Sequence, residues 1–215
     1  MSRYTPREEK LNTWSHALGV VFSVIVSYFL VSKAIESNNI WAIVSYPVFM
    51  LFLSTMFLSS TIYHAEKDEQ RKMQRRKFDH AAIYTQIAGS YTPYTLVVLR
   101  ENGAWGWTLF GIIWAAAVFG VALSFLSLKK GSKLETIGYV AMGWVVVVAF
   151  KPLIDVFQQT DSMNVLWWLI AGGGFYTIGA VLYQFKKIRY MHGIWHLFVL
   201  GGTVCHVVAV WLIKL

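Results

Sequence analysis

Seven ionisable residues stand out by type and position: His16, His64, Asp79, His80, His192, His196 and His206 lie inside or at the edges of long stretches with almost no other charge. Such groups are expensive to hold in apolar segments and therefore mark function there. His192 and His196 are four residues apart, so on a helix their imidazoles share one face about one turn apart and can reach a single metal ion. His64, from a different segment, adds a third nitrogen. Three protein ligands with an open fourth position is the usual form of a catalytic zinc site. Asp79 is then available to hold or deprotonate water at the metal, which zinc makes acidic towards about pH 7. Ser60 precedes His64 by four residues and shares its face, where its hydroxyl can meet that water or a substrate oxygen. The expectation is Zn2+ held by His64, His192 and His196, with Asp79 and Ser60 as catalytic groups. In the competing reading these histidines sit at interfaces, bonded to backbone carbonyls or lipid headgroups, and Asp79 pairs with a lysine.

Three histidines remain. His80 is rotated about 100° from Asp79 on a helix and is expected to make a supporting or interhelical bond, with an exchange of roles with Asp79 as the alternative. His16 is expected to support the ligands or simply to pack. His206 lies fourteen residues past His192, about 21 Å along a helix at about 1.5 Å per residue. It cannot share that metal and is read as a hydrogen-bonding residue of the interior.

The segments that must carry these groups are apolar. Hydrophobic residues make up 56% of the 215 and charged ones 14%, against roughly 25% charged in an ordinary soluble domain. Stretches 11–32, 37–65, 80–99, 102–128, 136–150, 162–185 and 190–213 contain no Asp, Glu, Lys or Arg. A spanning helix needs about 20 apolar residues, because the hydrocarbon core is about 30 Å thick. Six stretches have that length. The fifth reaches it from Leu134 to Ile154, with Glu135 at one interface and Lys151 snorkelling to the other. The chain is therefore expected to be an all-α integral membrane protein, one domain over 1–215 with transmembrane helices at about 13–33, 41–64, 79–99, 104–127, 134–154, 163–185 and 191–213. The first stretch follows basic residues as a signal peptide would, but no small-residue cleavage site ends it, so it is read as a retained helix. Cys205 is the lone cysteine, which excludes an intramolecular disulfide. Pro93 interrupts the third span beside Tyr91 and Tyr94, which either line a cavity or flank a simple kink. Trp41, Trp105, Trp107, Trp167 and Trp168 fall near one set of span ends, as an aromatic belt would.

The formal charge of +8 raises the question of a nucleic-acid partner, and its distribution answers it. Arg3, Arg7 and Lys10 precede span one; the run Arg71 to Lys77 with Lys67 lies between spans two and three; Lys129, Lys130 and Lys133 between four and five; Lys186, Lys187 and Arg189 between six and seven. Fifteen of the 19 basic residues thus share one side, and the whole +8 excess falls there. Basic loops stay cytoplasmic, which places the N-terminus inside and the C-terminus outside. Anionic headgroups account for the basic run, so membrane lipids and no nucleic acid are the expected partners. Oligomeric state leaves no mark in the sequence.

The same residues carry a family resemblance. Ser60-Thr61-Ile62-Tyr63-His64, Phe78-Asp79-His80 with Gly89-Ser90-Tyr91-Thr92-Pro93, and His192-Gly193-Ile194-Trp195-His196 resemble, in order, three elements of the hemolysin III family, the bacterial branch of the progestin and adipoQ receptor group. Glu8-Glu9 with Asn12 and His16 looks like the N-terminal signature of that branch. The resemblance covers nearly the whole chain. It implies seven helices with a cytoplasmic N-terminus in a bacterial inner membrane, zinc on His64, His192 and His196, Asp79 acting through water, and kinship with ceramidase-like membrane hydrolases. The expected function is hydrolysis of a lipid amide or ester at the cytoplasmic leaflet, the lipid tail entering from the side. A non-catalytic sensor of membrane state with structural zinc is the second reading, and a pore or lytic role the third.

Overall fold

The computed structural model describes residues 4–126, 133–185 and 188–215. The basic residues Arg3, Lys129, Lys130, Lys186 and Lys187, on which part of the charge reading rests, lie outside them. Among the described residues there are helices and no strand: α1 Pro6–Glu36, α2 Ile40–Ala65, α3 Glu69–Pro93, α4 Trp105–Leu126, α5 Lys133–Gly143, α6 Phe150–Gln159, α7 Met163–Leu182 and α8 Met191–Leu212. A 3-10 segment, Trp144–Ala149, joins α5 to α6 into one rod, so the described residues build seven rods. Six are long and apolar enough to cross a membrane, with Glu135–Gln159 counted as one. The exception is α3, whose first half carries Arg71, Lys72, Arg75, Arg76 and Lys77. Its apolar half continues past Pro93 through a wider turn, Tyr94–Val98.

Local chemistry sets the helix ends. Thr5 accepts the Glu8 N–H while the Glu8 carboxylate accepts the Thr5 N–H, a reciprocal cap that starts α1 with Pro6 in its first turn. Asn38 turns the chain in the left-handed region at φ 53°, and the Asn39 side chain caps α2 through Trp41 and Ala42. Asp68 Oδ1 accepts from Arg71 N at 2.8 Å to start α3.

Where a helix deforms inside an apolar bundle, the freed backbone groups need partners, because no solvent supplies them. Pro93 lacks an N–H, and the turn after it widens so that Leu99 N donates to Tyr94 O at 2.9 Å. The Thr92 and Thr95 hydroxyls bond carbonyls around the same point. The tightening between α5 and α6 is served from across the bundle: the Tyr91 hydroxyl accepts from Val146 N at 2.9 Å and donates to Gly143 O at 2.7 Å.

The distribution of side chains differs from that of a soluble bundle, with an apolar outside around an apolar core that also holds polar groups. Leu18, Val118 and Phe119 are each more than 60% exposed on the outside, while Asn12, Ser15, His16, Ser45, His64, Thr95 and His196 are buried. Apolar outside and hydrogen-bonding inside is the packing of helices in lipid. Helix α1 packs against both α2 and α8, and α7 packs along α8. One end of α1 is thereby wedged between the helices that carry His64 and the His192–His196 pair.

Candidate metal centre

His64 ends α2, and His192 and His196 occupy the first two turns of α8. Their ligand nitrogens all lie within 4.8 Å of one another. His64 Nε2 and His192 Nε2 are 3.0 Å apart. Two imidazole nitrogens that close share either a proton or a cation. Two nitrogens each about 2.1 Å from one tetrahedral zinc ion stand about 3.4 Å apart, so the His64–His192 pair is already inside that spacing and an ion's ligand set would be completed by drawing His196 in towards it.

The other face of each ring decides which nitrogen is available. His64 Nδ1 lies 2.7 Å from Glu9 Oε2, and the second Glu9 oxygen takes Lys72 Nζ at 3.0 Å. A carboxylate only accepts, so His64 carries its proton on Nδ1 and turns the Nε2 lone pair towards His192. His196 Nδ1 is 2.9 Å from Ser15 Oγ and 3.2 Å from the Asn12 carbonyl. The Ser15 hydroxyl itself donates to that carbonyl at 2.9 Å. The Nδ1 proton of His196 therefore goes to α1, which leaves His196 Nε2, a buried atom without a hydrogen-bond partner, with its lone pair free. This is the orientation by which ligating histidines are held, their outer N–H given to a carboxylate or carbonyl. The donor set fits a zinc-type cation.

Gly193 lets α1 come this close. A Cβ there would stand 2.7 Å from Leu11 Cδ2 and 3.3 Å from Asn12 Oδ1. Glu8 ties the same junction, accepting from Tyr190 N at 3.0 Å just ahead of α8.

Beside the triad runs a cavity of about 720 Å³, within the usual range for small-molecule sites. His192, His16 and Asp79 are in its wall, together with Ile83, Ile87, Tyr91, Val199 and other mostly apolar groups. His192 is the triad member that reaches this wall. Ser60 is buried, 2% exposed, one helical turn deeper than His64 on α2.

These contacts place the remaining sequence candidates. His16 stacks on His196 with ring centroids 3.6 Å apart. His80 turns to a different helix, its Nδ1 3.0 Å from Glu135 Oε2 of α5, where Arg76 also approaches at 3.7 Å. Tyr91 and Tyr94 both line the cavity, so the Pro93 interruption comes with a cavity wall as well as a distorted helix. His206 is interior as expected, yet neither of its ring nitrogens has a hydrogen-bond partner. The residues the sequence reading passed over are Glu9, Lys72, Ser15 and the Asn12 carbonyl. Glu9 and Asn12 were visible as an N-terminal pattern, but nothing in the sequence assigned them to His64 and His196.

Comparison with known proteins shows the family. Residues 4–207 match the family described as haemolysin-III related. The chain belongs to that family. It is 36% identical over 205 residues to hemolysin-3 of Bacillus cereus, covering 94% of this chain and 91% of the relative. A hemolysin-3 homolog of Bacillus subtilis is likewise 36% identical, over 93% of this chain and 91% of its own length. The monocyte to macrophage differentiation factor of Homo sapiens is 29% identical over 97% of this chain and 86% of the relative. The motif resemblance therefore holds at the level of the family, and the protein is a multi-pass membrane protein of haemolysin-III type.

Proposed function

We propose that this protein crosses the membrane seven times with its N-terminus in the cytoplasm, holds a zinc ion on His64, His192 and His196, and hydrolyses a lipid amide or ester with water. The single observation that carries the reading is the convergence of three imidazoles, two of them oriented by α1, at a cavity whose wall also presents the Asp79 carboxylate. The seventh span is the apolar half of α3 with its following turn. The orientation follows from the basic residues at the α2–α3 junction, which share the triad's end of the bundle.

When bound, zinc supplies Lewis acidity that polarises a carbonyl and makes water acidic near neutral pH. The chain's own residues do the rest. Apolar groups of α3, α5, α7 and α8 hold the hydrocarbon part of the substrate and exclude bulk water. Glu9 fixes the His64 ring, and Ser15 with the Asn12 carbonyl fixes that of His196, so the ligands need little reorganisation. Asp79 takes the proton from the attacking water and returns it to the leaving group. Ser60, behind His64, helps to place that water.

The test joins metal analysis with turnover. Purified protein is expected to hold one zinc, to lose it in the double variant His192→Ala/His196→Ala, and to keep it in Asp79→Asn while lipid hydrolysis disappears. Zinc retained by the double variant overturns the site. Zinc present with no hydrolysis by the wild type overturns the catalytic reading and leaves the ion a structural tie between α2 and α8.

A further inference from the structure

The cavity is not apolar along its whole length. Along α3 its wall takes Asp79, Ile83, Gln86, Ser90 and Tyr94, and along α8 it takes His192, Trp195, Val199 and His206. The two series rise in step: fifteen residues separate Asp79 from Tyr94 and fourteen separate His192 from His206, about 21 Å along either axis. Tyr94 and His206 therefore face the cavity far from the triad, before its wall continues through Leu99, Leu109 and Leu153. Tyr94 is only 4% exposed, and its hydroxyl has no hydrogen-bond partner. Both ring nitrogens of His206 are likewise buried and unpartnered. Polar atoms left unpaired in an apolar interior are costly, and an ionisable residue in mid-span is a functional feature by default.

The fold is shaped around this histidine. A Cβ on Gly172 of α7 would lie 2.1 Å from His206 Cδ2, so only glycine leaves room for the ring. One turn on, Tyr176 meets His206 edge to face with centroids 5.3 Å apart, and its hydroxyl is 3.0 Å from Thr203 Oγ1. Tyr176 also stands in the cavity wall with Tyr94. This part of the cavity thus carries polar groups in an apolar wall, with Tyr94 and His206 still to be satisfied.

The geometry points to a second subsite here, in which Tyr94 and His206 bind a hydroxyl carried far down the apolar chain of the lipid ligand. A neutral imidazole offers one donor and one acceptor, and a phenol offers both. A hydroxyl can serve both roles at once, whereas a carbonyl could only accept. A carboxylate would be a net charge in an apolar interior and is disfavoured. The subsite rests on the proposed function for the placement of the ligand's head at the histidine triad, and it narrows the substrate class to long-chain lipids oxygenated well away from the head. Plain saturated chains would leave both groups unpaired.

The experiment compares an ω-hydroxy fatty acid with its unsubstituted parent of the same chain length, by competition binding to the purified protein. The wild type is expected to prefer the hydroxylated chain by roughly tenfold, the worth of one well-made buried hydrogen bond. Tyr94→Phe, which keeps the ring and the packing, is expected to reduce that preference severalfold with zinc content unchanged, and His206→Leu to remove it. Equal binding of the two chains by the wild type overturns the subsite, whatever its zinc content. A preference that survives in Tyr94→Phe and in a folded His206→Leu overturns it as well. A preference found in the wild type and lost in Tyr94→Phe, in protein that holds no zinc, supports the subsite and rejects the metal reading instead.

Discussion

The two ends of α8 use the same side chain to opposite effect. At the start of the helix, His196 has its Nδ1 proton engaged by Ser15 and Asn12, and across from it Glu9 does the same for His64. At the other end, His206 is fitted between the Gly172 backbone and the Tyr176 ring, and its nitrogens have no hydrogen-bond partner among the described residues. A histidine becomes a prepared metal ligand when its outer nitrogen is taken. Without that partner both nitrogens remain free for a neutral guest. The difference lies in the neighbouring helix: α1 brings carboxylate, amide and hydroxyl groups, whereas α7 brings glycine.

Substitutions at the two supporting helices test this contrast. Gly172→Ala is expected to have the largest effect, because its Cβ meets a rigid ring; overpacking of this kind costs about 1–3 kcal/mol, read as a lowered Tm in detergent with zinc content preserved. Gly193→Ala meets the flexible end of Leu11 and should cost less, so an equal loss in both would erase the distinction between shape and hydrogen bonding. Glu9→Ala is expected to weaken zinc binding by about ten- to a hundredfold, the usual consequence of losing the group behind a ligating histidine, measurable by competition with a chelator. An unchanged affinity would show that α1 does not prepare the triad. Ser15→Ala leaves the Asn12 carbonyl in place and should cost about 1 kcal/mol, or roughly fivefold in zinc affinity.

The smallest effect is expected outside both regions, at the α2–α3 turn. Backbone N–H groups of Asp68 and then Lys67, with Arg75 and Arg71 nearby, hold the Glu66 carboxyl below its usual range. A lowered carboxylate contributes stability that is complete above the ordinary value of about 4.3 and is lost as pH falls through the folded-state value. Tm curves of the wild type and Glu66→Gln should therefore differ slightly near neutral pH and converge in acid, with zinc binding alike in both.

Much of this was legible in the sequence, for specific reasons. Spans could be read because lipid demands long uncharged stretches, and His192 with His196 because a four-residue spacing has one meaning on a helix. The bulk of α3 escaped that rule: five basic residues in its first half leave it outside the set of apolar spans, though Asp79 sits where its apolar part begins. The partners of the triad were not legible. Glu9 meets His64 across 55 positions, and Ser15 meets His196 across 181, and such pairings depend on which helices end up adjacent. Tyr91 is a similar case, since its part in the break between α5 and α6 exists only once α3 lies beside it. His206 looked like one more interior hydrogen-bonding residue because pattern reading supplies the residue but not its surroundings.

The clasp between the two ends of the chain also fixes when the site can exist. Glu8 holds the backbone of Tyr190, and Glu9, Asn12 and Ser15 await rings on α2 and α8. A nascent chain reaches His64 early, but the other two imidazoles arrive only with α8, the first of them 128 positions later. Until α8 is laid against α1, a partly synthesised chain holds one imidazole of the three, and the groups of α1 that meet the His196 ring have nothing to hold.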